Sequence, residues 1–375
     1  MPAEICDLFP TLSKVYPGDI LLTKGGSVAR IGLVTEVAAA SRDLIFINSS
    51  TLDKEHQAFL YAYFQTDFFY RSLIRSSSQT AQPHLTLTLV RDLAILQPDI
   101  KLIKALERTV SLAFSNRDLH LKLEKEATKI LLDELGLTSW KPKEPLYTVI
   151  NKTDAFISNR LDAEHFQPKY DELYERLELV GNIKPLGELL LSNQRGKQPT
   201  YSSDGLPVLN SKHILRGSVS LNIDNRNASF DENTLLIKQG DVLINGTGVG
   251  TIGRSASYLY EENAIPDNHV TILRPKVELD PVYLSVFLNS VAGQLQVEKW
   301  FSGSSGQIEL YPNDISKFRV WLAPKSIQKR VREAVDNSFK SKEKATQLFK
   351  AAKMAVEIAI EENDDLAIQY LKGYC

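Results

Sequence analysis

The chain has 375 residues, enough for two or three domains, and its 43% hydrophobic content is that of a globular protein. A formal net charge of −2 excludes bulk electrostatic attraction to nucleic acid, so any contact with a polyanion must come from local patches or be shared with a basic partner. The two cysteines, Cys6 and Cys375, lie near opposite ends, which excludes a disulfide framework or a CxxC metal knuckle and suits a reducing cytosol.

At the N-terminus no basic-then-apolar leader is visible, and no apolar run approaches eighteen residues, so a soluble cytoplasmic protein is expected. Residues 1–100 mix short apolar runs (Asp19–Leu22, Leu44–Ile47, Leu85–Val90) with Gly, Pro and Ser. This predicts a β-rich block with one helical stretch around Gln57–Ile74. Residues 101–136 contain no Pro, and no Gly before Gly136. Their apolar positions Leu102, Leu106, Val110, Ala113, Phe114, Leu123, Ala127, Ile130 and Leu131 are related by steps of three, four and seven and define one helical face. At 1.5 Å per residue that helix spans roughly 50 Å, and Gly136 is a natural stop. Pro142 and Pro145 mark a linker over 137–149.

Residues 150–324 form the longest β-rich block. Its landmarks are a helical segment near Pro168–Leu179, apolar runs at Leu186–Leu191, Val208–Leu209, Asp241–Ile244 and Val270–Leu273, and a helical stretch from Pro281 to Phe301. Residues 325–362 predict a second long helix whose face carries Ile327, Val331, Val335, Phe339, Leu348 and Val356, leaving 363–375 as a tail. Each helix could pack on its own domain, on the other helix or on a partner. Roughly ten turns exceed what one small β domain can cover, and domain–helix–domain–helix order favours an antiparallel pair.

The last third of the chain also repeats an earlier part. Gly18-Asp19-Ile20-Leu21-Leu22 returns as Gly240-Asp241-Val242-Leu243-Ile244, Gly25-Gly26 as Gly246-Thr247-Gly248, and Ile31-Gly32 as Ile252-Gly253. A Ser-rich run leading to Gln recurs at Ser76–Gln82 and Ser302–Gln307, and each copy closes on Pro (Pro98, Pro324) before its long helix. Roughly a hundred residues is too long for a solenoid unit and implies a duplicated domain plus helix, hence a two-part target.

Gly248-Val249-Gly250-Thr251-Ile252-Gly253 is a literal GxGxxG after an apolar strand. A dinucleotide or S-adenosylmethionine site needs a helix to begin at those glycines, but Arg254–Tyr258 and the acidic residues after it show no helical periodicity. A Gly-rich turn between strands is the better account. No Walker lysine motif, HExxH, GxSxG or Asn-Pro-Pro-aromatic loop occurs, and the six histidines have no ligand spacing. The chain therefore offers no catalytic apparatus and no metal site. What remains is polar loop chemistry. Arg and Lys suit guanine or phosphate, Asn and Gln suit adenine edges, and Ser or backbone amides suit phosphate oxygens. The candidate DNA-binding residues are Gln194, Arg195 and Lys197; Asn210, Ser211, Lys212 and His213; Asn245, Thr247, Gly248 and Arg254; Asn268 and His269; and Ser304, Ser305 and Gln307.

Three further stretches carry a resemblance. They are Arg160-Leu161-Asp162-Ala163-Glu164-His165-Phe166 with Pro168 and Tyr170; Pro185–Leu189 with Gly196 and Gly205–Leu209; and Gly240–Gly253 with Ser302–Gln307, ahead of the helix opened by Ile327-Gln328. In this order the chain resembles the specificity subunit of type I restriction–modification systems over nearly its whole length. The resemblance implies an α+β fold with two β-rich target recognition domains, separated by an antiparallel coiled coil of two long helices. It also implies that each domain reads one half of a split DNA site, with helix length as the ruler. By the same resemblance the chain is not an enzyme. Modification subunits that dock on the helices would methylate adenine, motor-nuclease restriction subunits would join them, and S-adenosylmethionine, ATP and Mg would be held by those partners.

One departure from the family pattern stands out. Arg160 lies about eighty residues before Gly240, whereas only seventeen precede Gly18. The first recognition domain, residues 1–100, is therefore expected to be incomplete and to contribute little base specificity. The alternative reading is a helical docking protein that has lost part of its DNA specificity.

Overall fold

The structure is a computed structural model that describes residue 9 and residues 11–24, 29–76, 85–221, 226–303 and 306–374. Gly25-Gly26 and the Ser-rich run from Ser77 to Gln82 lie outside the described residues, as do both cysteines. In chain order the strands are β1 (Ser13–Val15), β2 (Ile20–Thr23), β3 (Ile31–Leu33), β4 (Ala38–Ala40), β5 (Leu44–Ile47), β6 (Ile183–Pro185), β7 (Leu190–Arg195), β8 (Tyr201–Ser202), β9 (Leu206–Leu209), β10 (Asn227–Ala228), β11 (Val242–Asn245), β12 (Ser255–Ser257), β13 (Ile265–Pro266), β14 (Val270–Pro275) and β15 (Arg319–Trp321). The helices are α1 (Lys54–Phe64), α2 (Asp67–Ser76), α3 (Leu87–Arg91), α4 (Ile100–Glu134), α5 (Lys152–Ser158), α6 (Pro168–Val180), α7 (Pro281–Asn289), α8 (Val291–Trp300), α9 (Pro312–Ile315), α10 (Lys325–Glu361) and α11 (Asp364–Leu371). The chain divides into two compact units, residues 1–121 with 339–375, and residues 122–338.

In the first unit β2 lies between β3 and β5 and is antiparallel to both. Its period-two alternation buries Ile20 and Leu22. They pack with Ile45, Phe59, Tyr63, Phe69 and Leu73 in one core. Complete burial of such a side chain is worth roughly 1.5–3 kcal/mol. The turn into β2 uses Gly18 at φ +95°. A β-carbon there would meet the Gln57 side-chain oxygen at 2.7 Å. The buried Asp19 carboxylate accepts from the amides of Tyr16 (2.8 Å) and Ser50 (3.2 Å).

Three expectations change in this unit. The helical stretch around Gln57–Ile74 is two helices, because the Thr66 hydroxyl donates to the Tyr63 carbonyl (2.6 Å) and accepts from the Phe69 amide (3.2 Å), closing α1 and starting α2. The apolar run Leu85–Val90 is helical from Leu87 onward rather than a strand. Thr86 caps α3 through a 3.3 Å bond from the Leu89 amide. Residues 363–375, expected as a tail, hold α11, which Asn363 caps through a 3.0 Å bond from the Leu366 amide; Ala367 and Leu371 are buried.

In the second unit the main sheet has the order β12-β11-β14-β7, with antiparallel neighbours throughout. Its first three strands repeat the β3-β2-β5 arrangement. The turn into β11 is also repeated. Gly240 has φ +90°, and the wholly buried Asp241 accepts from the Lys238 amide at 2.8 Å. Here the carboxylate also accepts from Nε and Nη2 of Arg274, at 2.7 and 2.8 Å. The fourth strand, β7, comes from the stretch with no counterpart in the first copy. A second sheet, β13-β9-β10-β8, and the β15-β6 pair complete the strands of this unit. The segment Pro281–Phe301 is α7 and α8, separated at Ser290, whose hydroxyl donates to the Phe287 carbonyl at 2.7 Å. Leu186–Leu191 begins as a 3-10 turn, Leu186–Leu189, before β7 starts at Leu190.

The two long helices pack on each other within each unit. In the first, Leu102, Leu106 and Val110 share a core with Ala351, Ala352, Ala355 and Val356. Phe114 meets Phe349 edge-on at 4.9 Å between ring centroids, and the Asp99 amide donates to Asp364. Numbering therefore rises along α4 as it falls along α10, which makes the pair antiparallel. In the second unit Ala127 and Leu131 share a core with Val331 and Ala334; Ile130, Ile327 and Val335 pack against it, and Arg330 lies 3.5 Å from Glu134. Leu348 is buried, while Leu123 and Phe339 are half-buried. Phe349, which the apolar face read from the sequence omits, joins Phe114 and Tyr61 in an aromatic triangle.

Candidate nucleic-acid interface

The polar residues singled out from the sequence gather at one end of the β12-β11-β14-β7 sheet. Antiparallel pairing brings the C-terminal ends of β7 and β11 beside the N-terminal end of β14. Arg195, the last residue of β7, fastens this end. Its Nε donates to the Asn268 carbonyl at 2.6 Å, and one terminal nitrogen reaches the Glu309 carboxylate at 3.4 Å. Its guanidinium also lies 5.6 Å from the Tyr311 ring centroid. The Tyr311 hydroxyl donates to Glu309 and holds that carboxyl below the usual range, with Arg195 adding to the effect; the same bond raises Tyr311.

Two more links close the cluster. Thr247 Oγ1 and His269 Nδ1 are 2.8 Å apart, and the Gly246 amide donates to the His269 carbonyl at 2.8 Å. The segment after α8 straps across through a Thr247–Glu309 bridge and the Leu310 amide, which donates to the Gly246 carbonyl at 2.8 Å. The GxGxxG run is the hairpin turn between β11 and β12, with no helix at its glycines. Gly248, Gly250 and Gly253 all take positive φ, and Val249 at the tip is 70% exposed. The amides of Val249 and Gly250 have no acceptor among the described residues.

Several candidates stand outside that description. Asn245 and His213 are turned inward and do not face solvent. Asn245 Nδ2 donates to the Ser211 carbonyl at 3.1 Å, and His213 Nδ1 accepts from the Asn210 amide at 3.0 Å, so both brace the 210–214 loop. That loop also has an Asx turn, in which the Lys212 amide donates to Asn210 Oδ1 at 3.1 Å. Lys212 is exposed, and Asn210 and Ser211 are half-buried. Arg254 is half-buried, Gln307 is exposed, and Ser304 and Ser305 lie outside the described residues. Gln194 and Lys197 are exposed and, with Arg195, line a groove of roughly 530 Å³ together with Thr200, Ser229 and Phe230.

Sequence reading did not find Asp267, Glu309 or Tyr311, because each gains its role only from partners distant in the chain. Asp267 is buried, and that burial raises its carboxyl above the usual range. The opposing influences are the His269 amide, which donates to its Oδ1 at 2.9 Å, and the nearby His269, His213 and Arg195. Gly196 must be glycine, because a β-carbon there would lie 2.2 Å from the Asp267 carbonyl oxygen.

No protein-family model matches the chain, and no curated protein matches it. Three solved structures are similar to it. One comes from work on complex assembly and conformational transition of the type I R-M system, at 16% identity over 96% of this chain and 82% of that one, with a TM-score of 0.35. Another is the type I restriction–modification S subunit from M. genitalium, at 15% identity over 96% and 84%, with a TM-score of 0.39. The third is the HsdS subunit from Thermoanaerobacter tengcongensis, at 13% identity over 93% and 82%, with a TM-score of 0.29. This is the family that the sequence resembles. Among the described residues no helix is long and apolar enough to cross a membrane, and no group of three or more His, Cys, Asp or Glu is placed to hold a metal ion.

Proposed function

We propose that this chain is the sequence-reading subunit of a type I restriction–modification complex, bringing adenine methylation and restriction to a split DNA site while catalysing neither. The observation that carries this reading is the convergence of loops at one sheet end, fastened by Arg195, with Gln194 exposed at the end of β7 and Lys197, Lys212 and Gln307 exposed on the loops. Lysine and glutamine side chains there, with the two turn amides that have no acceptor among the described residues, supply donors for phosphates and base edges. Arg195, with a side chain only 17% exposed, acts by positioning the loops. The antiparallel helices would set the separation of the two half-sites and dock the modification subunits, which would hold S-adenosylmethionine; ATP and Mg would belong to the restriction partners.

The test is a gel shift with the chain co-purified with its modification partner, on a duplex carrying the motif methylated in the source cell. Changing Lys197 and Arg195 to alanine together should weaken specific binding; unchanged binding counts against these loops. A second reading is favoured by one observation: among the described residues the first unit's sheet has three strands and lacks a counterpart of β7. Under that reading the chain is a helical docking protein, and the co-purified complex would form but prefer no duplex sequence.

A further inference from the structure

A second element of the larger unit has the geometry of a base reader. Tyr201 opens β8 and Arg226 immediately precedes β10; these strands pair antiparallel, with Tyr201 opposite Ala228. The Arg226 guanidinium carbon lies 3.6 Å from the centroid of the Tyr201 ring, which is stacking distance. Both side chains are exposed, and no carboxylate among the described residues pairs with Arg226. Holding a long arginine in one pose costs rotamer freedom. Here the tyrosine ring sets the plane of the guanidinium and leaves its in-plane N–H edge available.

A fork of fixed orientation matches the adjacent O6 and N7 acceptors of guanine in the major groove. A planar fork also fits phosphate oxygens, but the fixed direction of a held plane is what a base edge requires. The placement agrees. Thr200 and Ser229, chain neighbours of the stacked strands, line the groove with Lys197 and Gln194. β13, in the same sheet, runs directly into Asp267-Asn268-His269.

We infer that Arg226, held flat by Tyr201, reads a guanine in duplex DNA, with Arg226 the specificity-determining residue and Tyr201 its positioning residue. This rests on the DNA-reading function proposed above. The experiment is selection from a randomised duplex library by the full chain with its modification partner, sequencing the bound fraction. Arg226→Ala and Arg226→Lys should each lose roughly ten- to hundredfold preference for one guanine while preference elsewhere in the motif is kept. Tyr201→Leu should lose part of the same preference, and Tyr201→Phe, which keeps the ring, should retain it.

Retention of the guanine by Arg226→Lys overturns the inference. So does an even loss of affinity across all sequences with a shallower salt dependence, which marks a phosphate contact. An unchanged motif in Arg226→Ala overturns it too, leaving the stack as a clamp between strands. In those three outcomes the DNA-reading function survives. If the unaltered complex enriches no motif, that function falls and this inference falls with it.

Discussion

Replacing Arg195 by alanine tests whether one side chain fastens the candidate interface. The change removes a hydrogen bond from a charged donor to the Asn268 carbonyl at 2.6 Å, worth about 1.5–3 kcal/mol. The Glu309 contact at 3.4 Å joins a carboxylate that is 40% exposed, so it adds about 0–1 kcal/mol. The approach to Tyr311 adds about 0.5–1 kcal/mol. Glu309 remains in reach of water, so stranding it costs little. The total is about 2–5 kcal/mol, and at about 2–4 °C per kcal/mol for a unit of this size the midpoint of thermal unfolding should fall by about 4–20 °C. Arg195→Lys keeps the charge but loses the planar fork and should fall between the two. Scanning calorimetry reads the midpoint, and a gel shift on the same preparations reads binding. A midpoint within about 2 °C of the parent would refute the assignment of Arg195 as the fastener.

Asp267→Asn should raise the unfolding midpoint at pH 7. The folded carboxyl is raised above its unfolded value near 3.8, so the folded state binds more protons in that window and this group lowers stability as pH rises through it. The gain from the substitution should shrink as the pH is brought down toward 4; a constant gain would sink the argument. Leu106→Ala and Leu131→Ala, both at fully buried positions of α4, should each cost about 2–5 kcal/mol in denaturant unfolding, whereas exposed Leu121 should tolerate alanine with little change. Removing one turn, about 5.4 Å, from both α4 and α10 should shorten the spacer between half-sites when methylated genomic positions are mapped; an unaltered spacer would end the ruler idea.

The long helices were legible because their apolar stripe runs through more than thirty residues without glycine or proline, and their ends fall within two residues of the sequence reading. The recurrent Gly-Asp turns were legible because positive φ and a buried carboxylate leave few residue choices. Short segments were not. Leu85–Val90 reads as a strand until Thr86 is recognised as a cap, and the breaks at Thr66 and Ser290 depend on single hydroxyl contacts to backbone. In the site, residue type picked out loops that the fold brings to one sheet end, but not the orientation of their side chains. Asn245 ends a strand buried at every position, so its amide works inside the protein. Asp267, Glu309 and Tyr311 carry no local pattern, since their partners lie on other loops.

The two Gly-Asp turns share a backbone but answer their carboxylates differently. Among the described residues Asp19 is met by amides, whereas Asp241 is gripped by the fork of Arg274. The copies have thus become non-interchangeable at a point where they look most alike. Anyone building chimaeras by exchanging half-domains between the two must move Arg274 together with its turn, because separating them would strand a guanidinium against the sheet.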